Sequence, residues 1–157
     1  MLWYDFGRRR MNMELPISQN MKRCNHLQVD IEAVYHDAAL KFGLADSVQI
    51  ILYTACYLGD NCPLSEVVKI SGISKQTINS ALRNMEAQGL VELTSATPKT
   101  KNVSLTEKGK ELAERTVIRL MKAEDEVFSE WSDEDIQKYL ELNERFLMGL
   151  RERVSRL

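Results

Sequence analysis

The chain is poor in the residues that usually do chemistry. It has two histidines, His26 and His36, and three cysteines, Cys24, Cys56 and Cys62. No Cys-x-x-Cys pair and no Gly-rich phosphate loop is present. Nothing local gathers a nucleophile, a base and an orienting group, so no enzyme and no cofactor is expected. Three scattered cysteines do not make a disulfide framework for 157 residues. No run approaches the roughly 20 apolar residues of a membrane span. Met11 to Pro16, which follows Arg8-Arg9-Arg10, is not the apolar core of a secretory signal. The cytoplasm is the expected compartment, with no membrane partner. A formal net charge of -2 argues against nucleic-acid binding by bulk charge. Apolar residues, at 44%, still suffice for a core. The length fits one domain, or one domain with appended helices.

What is present is organised around Leu64 to Thr106. Leu64 to Gly72 reads as a short amphipathic helix, and a tight turn at Gly72-Ile73 follows. Ser74 to Gln88 reads as a second helix, with Ser74 as its N-cap and Gly89 as its stop. Ile78, Ala81, Leu82 and Met85 recur at three- and four-residue spacing and predict its buried stripe. Its other face holds Lys75, Gln76, Asn79, Ser80 and Arg83, side chains able to bond a base edge or a phosphate. Surface helices in general look like this, so the face alone does not decide. The next segments do. Val91 and Leu93 alternate with polar neighbours between Leu90 and Thr94, and Val103 and Leu105 do so between Asn102 and Leu105. That is the period of half-buried strands. Helix, turn, helix and hairpin in this order predict a winged helix-turn-helix. From Ile73 to Leu105, Lys75, Arg83, Lys99 and Lys101 outnumber Glu86 and Glu92. The acid sits elsewhere, in Glu124-Asp125-Glu126 and Asp133-Glu134-Asp135. A locally basic reading surface on an acidic body suits a protein that binds DNA and releases it.

The flanks read as helices. Met1 to Pro16 has no period and is expected to be an arm, extending to residue 17. Residues 18–43 predict one long helix, with Met21, Cys24, Leu27, Ile31, Val34, Tyr35, Ala38 and Phe42 at helical spacing. Leu44 to Gly59 is apolar nearly all round, which predicts a buried helix. Asp60 to Pro63 reads as a turn that exposes Cys62. Thr106 is expected to cap a helix running to about Ser129, and Ser132 to cap a last helix reaching the chain end. Long apolar stripes at both ends ask for more partner surface than one small module offers. A second copy of the chain would supply it across a two-fold axis. The expected domains are therefore 18–43 for dimerisation, 44–105 for DNA, and 106–157 again for dimerisation. The fold class is mainly α with a small β-hairpin wing: a winged helix-turn-helix flanked by N- and C-terminal dimerisation helices.

Four segments carry a resemblance to a known family. They are Leu64-Ser65-Glu66-Val67, Gly72-Ile73-Ser74-Lys75-Gln76-Thr77-Ile78, Met85-Glu86-Ala87-Gln88-Gly89-Leu90-Val91-Glu92 and Leu105-Thr106-Glu107-Lys108-Gly109. Together they resemble the MarR family of bacterial transcription regulators, over nearly the whole chain. The resemblance implies a homodimeric regulator, expected to be a repressor, that puts the helix from Ser74 to Gln88 into the major groove of a palindromic operator. Ser74, Lys75, Gln76, Thr77, Asn79, Ser80 and Arg83 are the expected contacts there, with Lys99 and Lys101 on the wing. The wing departs from the family pattern. It reads Thr97-Pro98-Lys99-Thr100-Lys101-Asn102, without the usual Asp-x-Arg element.

The resemblance also implies a cleft for aromatic acids or other amphipathic effectors, for which Tyr35, His36, Tyr53 and Tyr57 are candidates. Aromatics at helical spacing are more often core than ligand box. Some relatives sense zinc, but Cys24, His26 and His36 match no standard ligand spacing, so no metal is expected. Others sense peroxide through a first-helix cysteine, and Cys24 does not fall at their position. A winged-helix adaptor that binds proteins instead of DNA is the rival reading, which the near-neutral charge and the altered wing support.

Overall fold

The structure is a computed structural model that describes residues 17–97 and 100–157. The expected N-terminal arm, apart from Ile17, and the wing residue Lys99 lie outside the described residues. The chain divides into two compact units, one ending at Asp37 and the other beginning at Ala38.

The first unit carries most of helix α1 (Gln19–Phe42). Ser18 starts that helix, its hydroxyl accepting from the Met21 N–H at 3.1 Å. Leu27, Val29, Ile31 and Val34 on this part of α1 are all exposed.

The second unit continues with α2 (Asp46–Leu58), β1 (Cys62–Pro63), α3 (Leu64–Ser71), α4 (Lys75–Ala87), β2 (Val91–Thr97), β3 (Thr100–Leu105), α5 (Glu107–Arg115), α6 (Val117–Ser129) and α7 (Asp133–Val154). It is mainly α with one small antiparallel sheet, a winged helix-turn-helix followed by further helices. The apolar helix expected over 44–59 is α2, and it lies at the centre. Ile51 and Leu52 are fully buried, and α2 packs on α3, α4, α5 and α6. Val67 of α3 and Ile78, Leu82 and Met85 of α4 complete the core with Val91 and Val103 of the sheet. The expected caps hold. Ser74, Thr106 and Ser132 accept from the N–H groups of Thr77, Gly109 and Asp135.

Three elements differ from the sequence reading. First, Cys62 is not exposed. The expected turn becomes β1, which pairs with β3 in the sheet order β1-β3-β2. Cys62 lies opposite Val103, is only 3% exposed, and its thiol donates to the Val103 carbonyl at 3.4 Å. Second, the wing is longer, because β2 and β3 pair out to Thr97 and Thr100 with an irregularity between Ser95 and Thr97. Third, the helix expected from Thr106 to Ser129 is two helices. The Thr116 hydroxyl donates to the Leu112 carbonyl at 2.6 Å. The Thr116 N–H bonds Ala113 O instead. The side chain thus competes for a carbonyl of the helix ladder, and the backbone turns at φ -126°, ψ -91°.

α7 has no buried residue. Leu140, Phe146, Leu147, Leu150 and Val154 along it are all exposed.

Candidate nucleic-acid interface

The site is built on α4. The Ser74 hydroxyl accepts the Thr77 N–H at 3.1 Å and lies 2.8 Å from the Thr77 hydroxyl. The first turn of α4 is thereby fixed, with its remaining N–H groups and positive dipole end directed outward. Gly89 closes the other end at φ +69°. Its N–H bonds Glu86 O and the Leu90 N–H bonds Met85 O, each at 2.9 Å. This is the paired bonding of a left-handed helix stop, which a side chain at Gly89 would disfavour.

With Ile78, Leu82 and Met85 turned into the core, the opposite face is left to solvent. Ser74, Lys75, Gln76, Thr77, Ser80 and Arg83 are exposed, and Asn79 is half-buried. A groove of about 670 Å³ runs beside this face, between the start of α3, α4 and the wing. It brings together Lys75, Asn79 and Arg83 of α4 with Lys101 of β3. Leu64, Val68, Leu82 and Leu93 supply its apolar lining. Among the described residues, Lys75, Arg83 and Lys101 make no ion pair, so their charges are available to an anion. Ser74, Gln76, Thr77 and Ser80 do not line the groove and occupy the rest of the exposed face.

The groove also holds residues that the sequence reading left out. Glu86 follows Asn79 and Arg83 at seven and three residues, so helical spacing alone places it on their face. It puts one carboxylate among three cations. Ser65 and Thr100 also line the groove. Ser65 arrives by the packing of α3 on the sheet, which no local pattern announces.

None of the four effector candidates lines the groove. On α2, Tyr53 is half-buried and its hydroxyl donates to Glu124 at 2.6 Å, while Tyr57 is 70% exposed. Tyr35 and His36 are exposed on the first unit's part of α1. Cys24 and Cys56 are half-buried. Burial pushes the Cys56 and Cys62 thiols above their ordinary range, with Asp60 adding to the effect at Cys62 against its backbone hydrogen bond. Among the described residues, no group of three His, Cys, Asp or Glu side chains is placed to hold a metal. No described helix is long and apolar enough to cross a membrane.

The ArnR1-like winged-helix domain family matches residues 35–125. No curated protein matches significantly. Solved structures resemble the chain closely in fold at low identity. NMB1585, a MarR family regulator from Neisseria meningitidis, is 18% identical with a TM-score of 0.74, over 88% of this chain and 98% of its own. A S. aureus MepR–DNA complex is 18% identical with a TM-score of 0.65, over 85% and 98%. Bordetella bronchiseptica BpsR, whose DNA binding is regulated by 6-hydroxynicotinic acid, is 18% identical with a TM-score of 0.60, over 79% and 98%. The chain belongs to the ArnR1-like winged-helix family and has the fold of the MarR family regulators that its sequence resembles.

Proposed function

We propose that this protein is a sequence-specific DNA-binding transcription regulator that acts as a homodimeric repressor in the cytoplasm and is released by a small effector. The observation that carries the reading is the exposed cationic face of α4, continued across a groove to Lys101 on the wing. Its dimensions and charge suit a helix lodged in the major groove beside a phosphate backbone. MepR, solved with DNA, supports the same use of this fold.

The homodimer rests on the uncovered apolar residues of α7 and α1. In water such a stripe is stable only when another surface covers it. Residues 18–43 and 106–157 are assigned to that pairing and 44–105 to DNA. An aromatic acid is the effector class of choice, which the regulation of BpsR by 6-hydroxynicotinic acid supports. Tyr53 and Tyr57 on α2 and, separately, Tyr35 and His36 on α1 remain the candidate effector residues.

The test is binding to duplex DNA across a salt series. Tight binding to a selected sequence, with affinity falling steeply as salt rises, is expected. Equal and weak binding to every duplex would favour the adaptor reading, which Glu86 in the groove and the wing's missing arginine support.

A further inference from the structure

The C-terminal end of α4 is held from outside by the first turn of α5. Three successive carbonyls after α4 receive donors from that turn. Gln88 O accepts from Lys108 Nζ at 2.8 Å, and Gly89 O from Thr106 Oγ1 at 2.6 Å. Leu90 O accepts from the Thr106 N–H at 3.1 Å. The same threonine hydroxyl accepts from the Gly109 N–H at 3.0 Å and so caps α5. The approach is close enough that a Cβ on Gly109 would stand 2.0 Å from Leu90 O. α4 has no basic residue in its own last turn. Lys108 supplies the cation that a helix C-terminus favours, and delivers it from another helix.

These contacts matter because of where the chain goes next. α5 leads through Thr116 into α6 and α7, which carry the uncovered apolar stripe. This junction is one route by which a force on those helices reaches α4, beside the packing of α2 on both α4 and α6. We propose that Lys108 and Thr106 are positioning residues for DNA reading, clamping the end of α4 so that it meets the groove at one fixed angle. The proposal rests on the DNA-binding reading above.

Lys108 is exposed, so Lys108→Met removes the clamp's charge without opening the core. The probe is a duplex selected by the wild-type protein from a randomised pool, along with versions whose half-sites are one base pair closer or farther apart. Lys108→Met should bind the selected duplex roughly three- to tenfold more weakly, as expected for one lost charge-assisted hydrogen bond. It should keep the wild-type salt slope and discriminate less between spacings. Lys108→Arg, which can still reach the carbonyl, should restore both. A uniform loss on selected and scrambled DNA, with the salt slope lowered by about one unit, makes Lys108 a phosphate contact and overturns the proposal. Unchanged affinity and spacing preference in Lys108→Met overturn it as well. If the wild-type protein selects no sequence from the pool, the DNA-binding reading itself fails, and that result precedes any variant.

Discussion

The Tyr53 hydroxyl donates to the Glu124 carboxylate at 2.6 Å. The bond joins α2, which packs on α4, to α6, which lies beyond the break at Thr116. A ring read from the sequence as a ligand-pocket wall therefore has a structural task. Tyr53→Phe should lower the unfolding free energy by about 1–2 kcal/mol, the usual loss when a partly buried hydrogen bond to a charged group is removed. Urea denaturation measures it. An unchanged midpoint would return Tyr53 to the list of side chains kept only for a ligand.

The reading unit was largely legible from local pattern. Ile78, Leu82 and Met85 are buried where their spacing put them, and Ser74, Thr106, Ser132 and Gly89 bound their helices as their chemistry suggests. What local pattern did not reveal depended partly on partners distant in sequence and partly on a local hydrogen bond that the apolar spacing hides. Cys62 and Pro63 carry no strand signal of their own, and become β1 only because β3 offers a free edge at Asn102 and Val103. The break at Thr116 turns on one hydroxyl reaching back to Leu112 O, a choice that an otherwise continuous apolar stripe conceals. Gly109 could be read as a family signature, but its physical reason is the Leu90 carbonyl lying where a Cβ would be. Asn79 and Arg83 were legible as residues of the polar face of α4, whereas Ser65 came to the groove through tertiary packing alone.

Thiol chemistry at Cys56 and Cys62 should be slow in the native protein. The thiolate is the reactive form, and burial raises the Cys56 and Cys62 pKa. Iodoacetamide at mildly alkaline pH should modify both more slowly than in urea, with rates rising as pH rises. The stability sign follows the same shift. These thiols stay protonated longer folded than unfolded, so stability falls as pH climbs past the ordinary thiol range. Rapid native oxidation of Cys62 by peroxide would instead point to a redox sensor.

The stripe on α7 makes a prediction about assembly. Leu140 and Leu147 are seven residues apart and both exposed in the single chain. Covering a leucine side chain is worth about 1.5–3 kcal/mol, so replacing both with Glu removes several kcal/mol from any dimer they help to close. Sedimentation should show a dimer for the wild type at micromolar concentration and a monomer for the double variant. Removal of Glu141 to Leu157 should give monomer or aggregate and abolish tight DNA binding. A wild-type protein that sediments as a stable monomer refutes the dimer.

The two sides of the groove should contribute differently to DNA recognition. Arg83 and Gln76 project from the exposed face of α4, where a long planar side chain can make two bonds to one base edge. Arg83→Ala or Gln76→Ala should cost about 1–3 kcal/mol on the selected duplex and relax the preference at one position. Two reading helices in a symmetric dimer call for an imperfect palindrome, with half-sites roughly 34–36 Å apart. Lys101 stands on β3, across the groove from α4, and its single ammonium is expected to neutralise a phosphate. Lys101→Ala should weaken every duplex about equally and lower the salt slope by about one unit, and Lys99→Ala is expected to do the same. Glu86→Gln, which removes the carboxylate from among the groove cations, should shift affinity the other way on every duplex. The measurement is binding of each variant to selected and scrambled DNA at several salt concentrations. If Lys101→Ala loses sequence preference while Arg83→Ala and Gln76→Ala keep it, the wing is the reader and α4 only anchors the backbone.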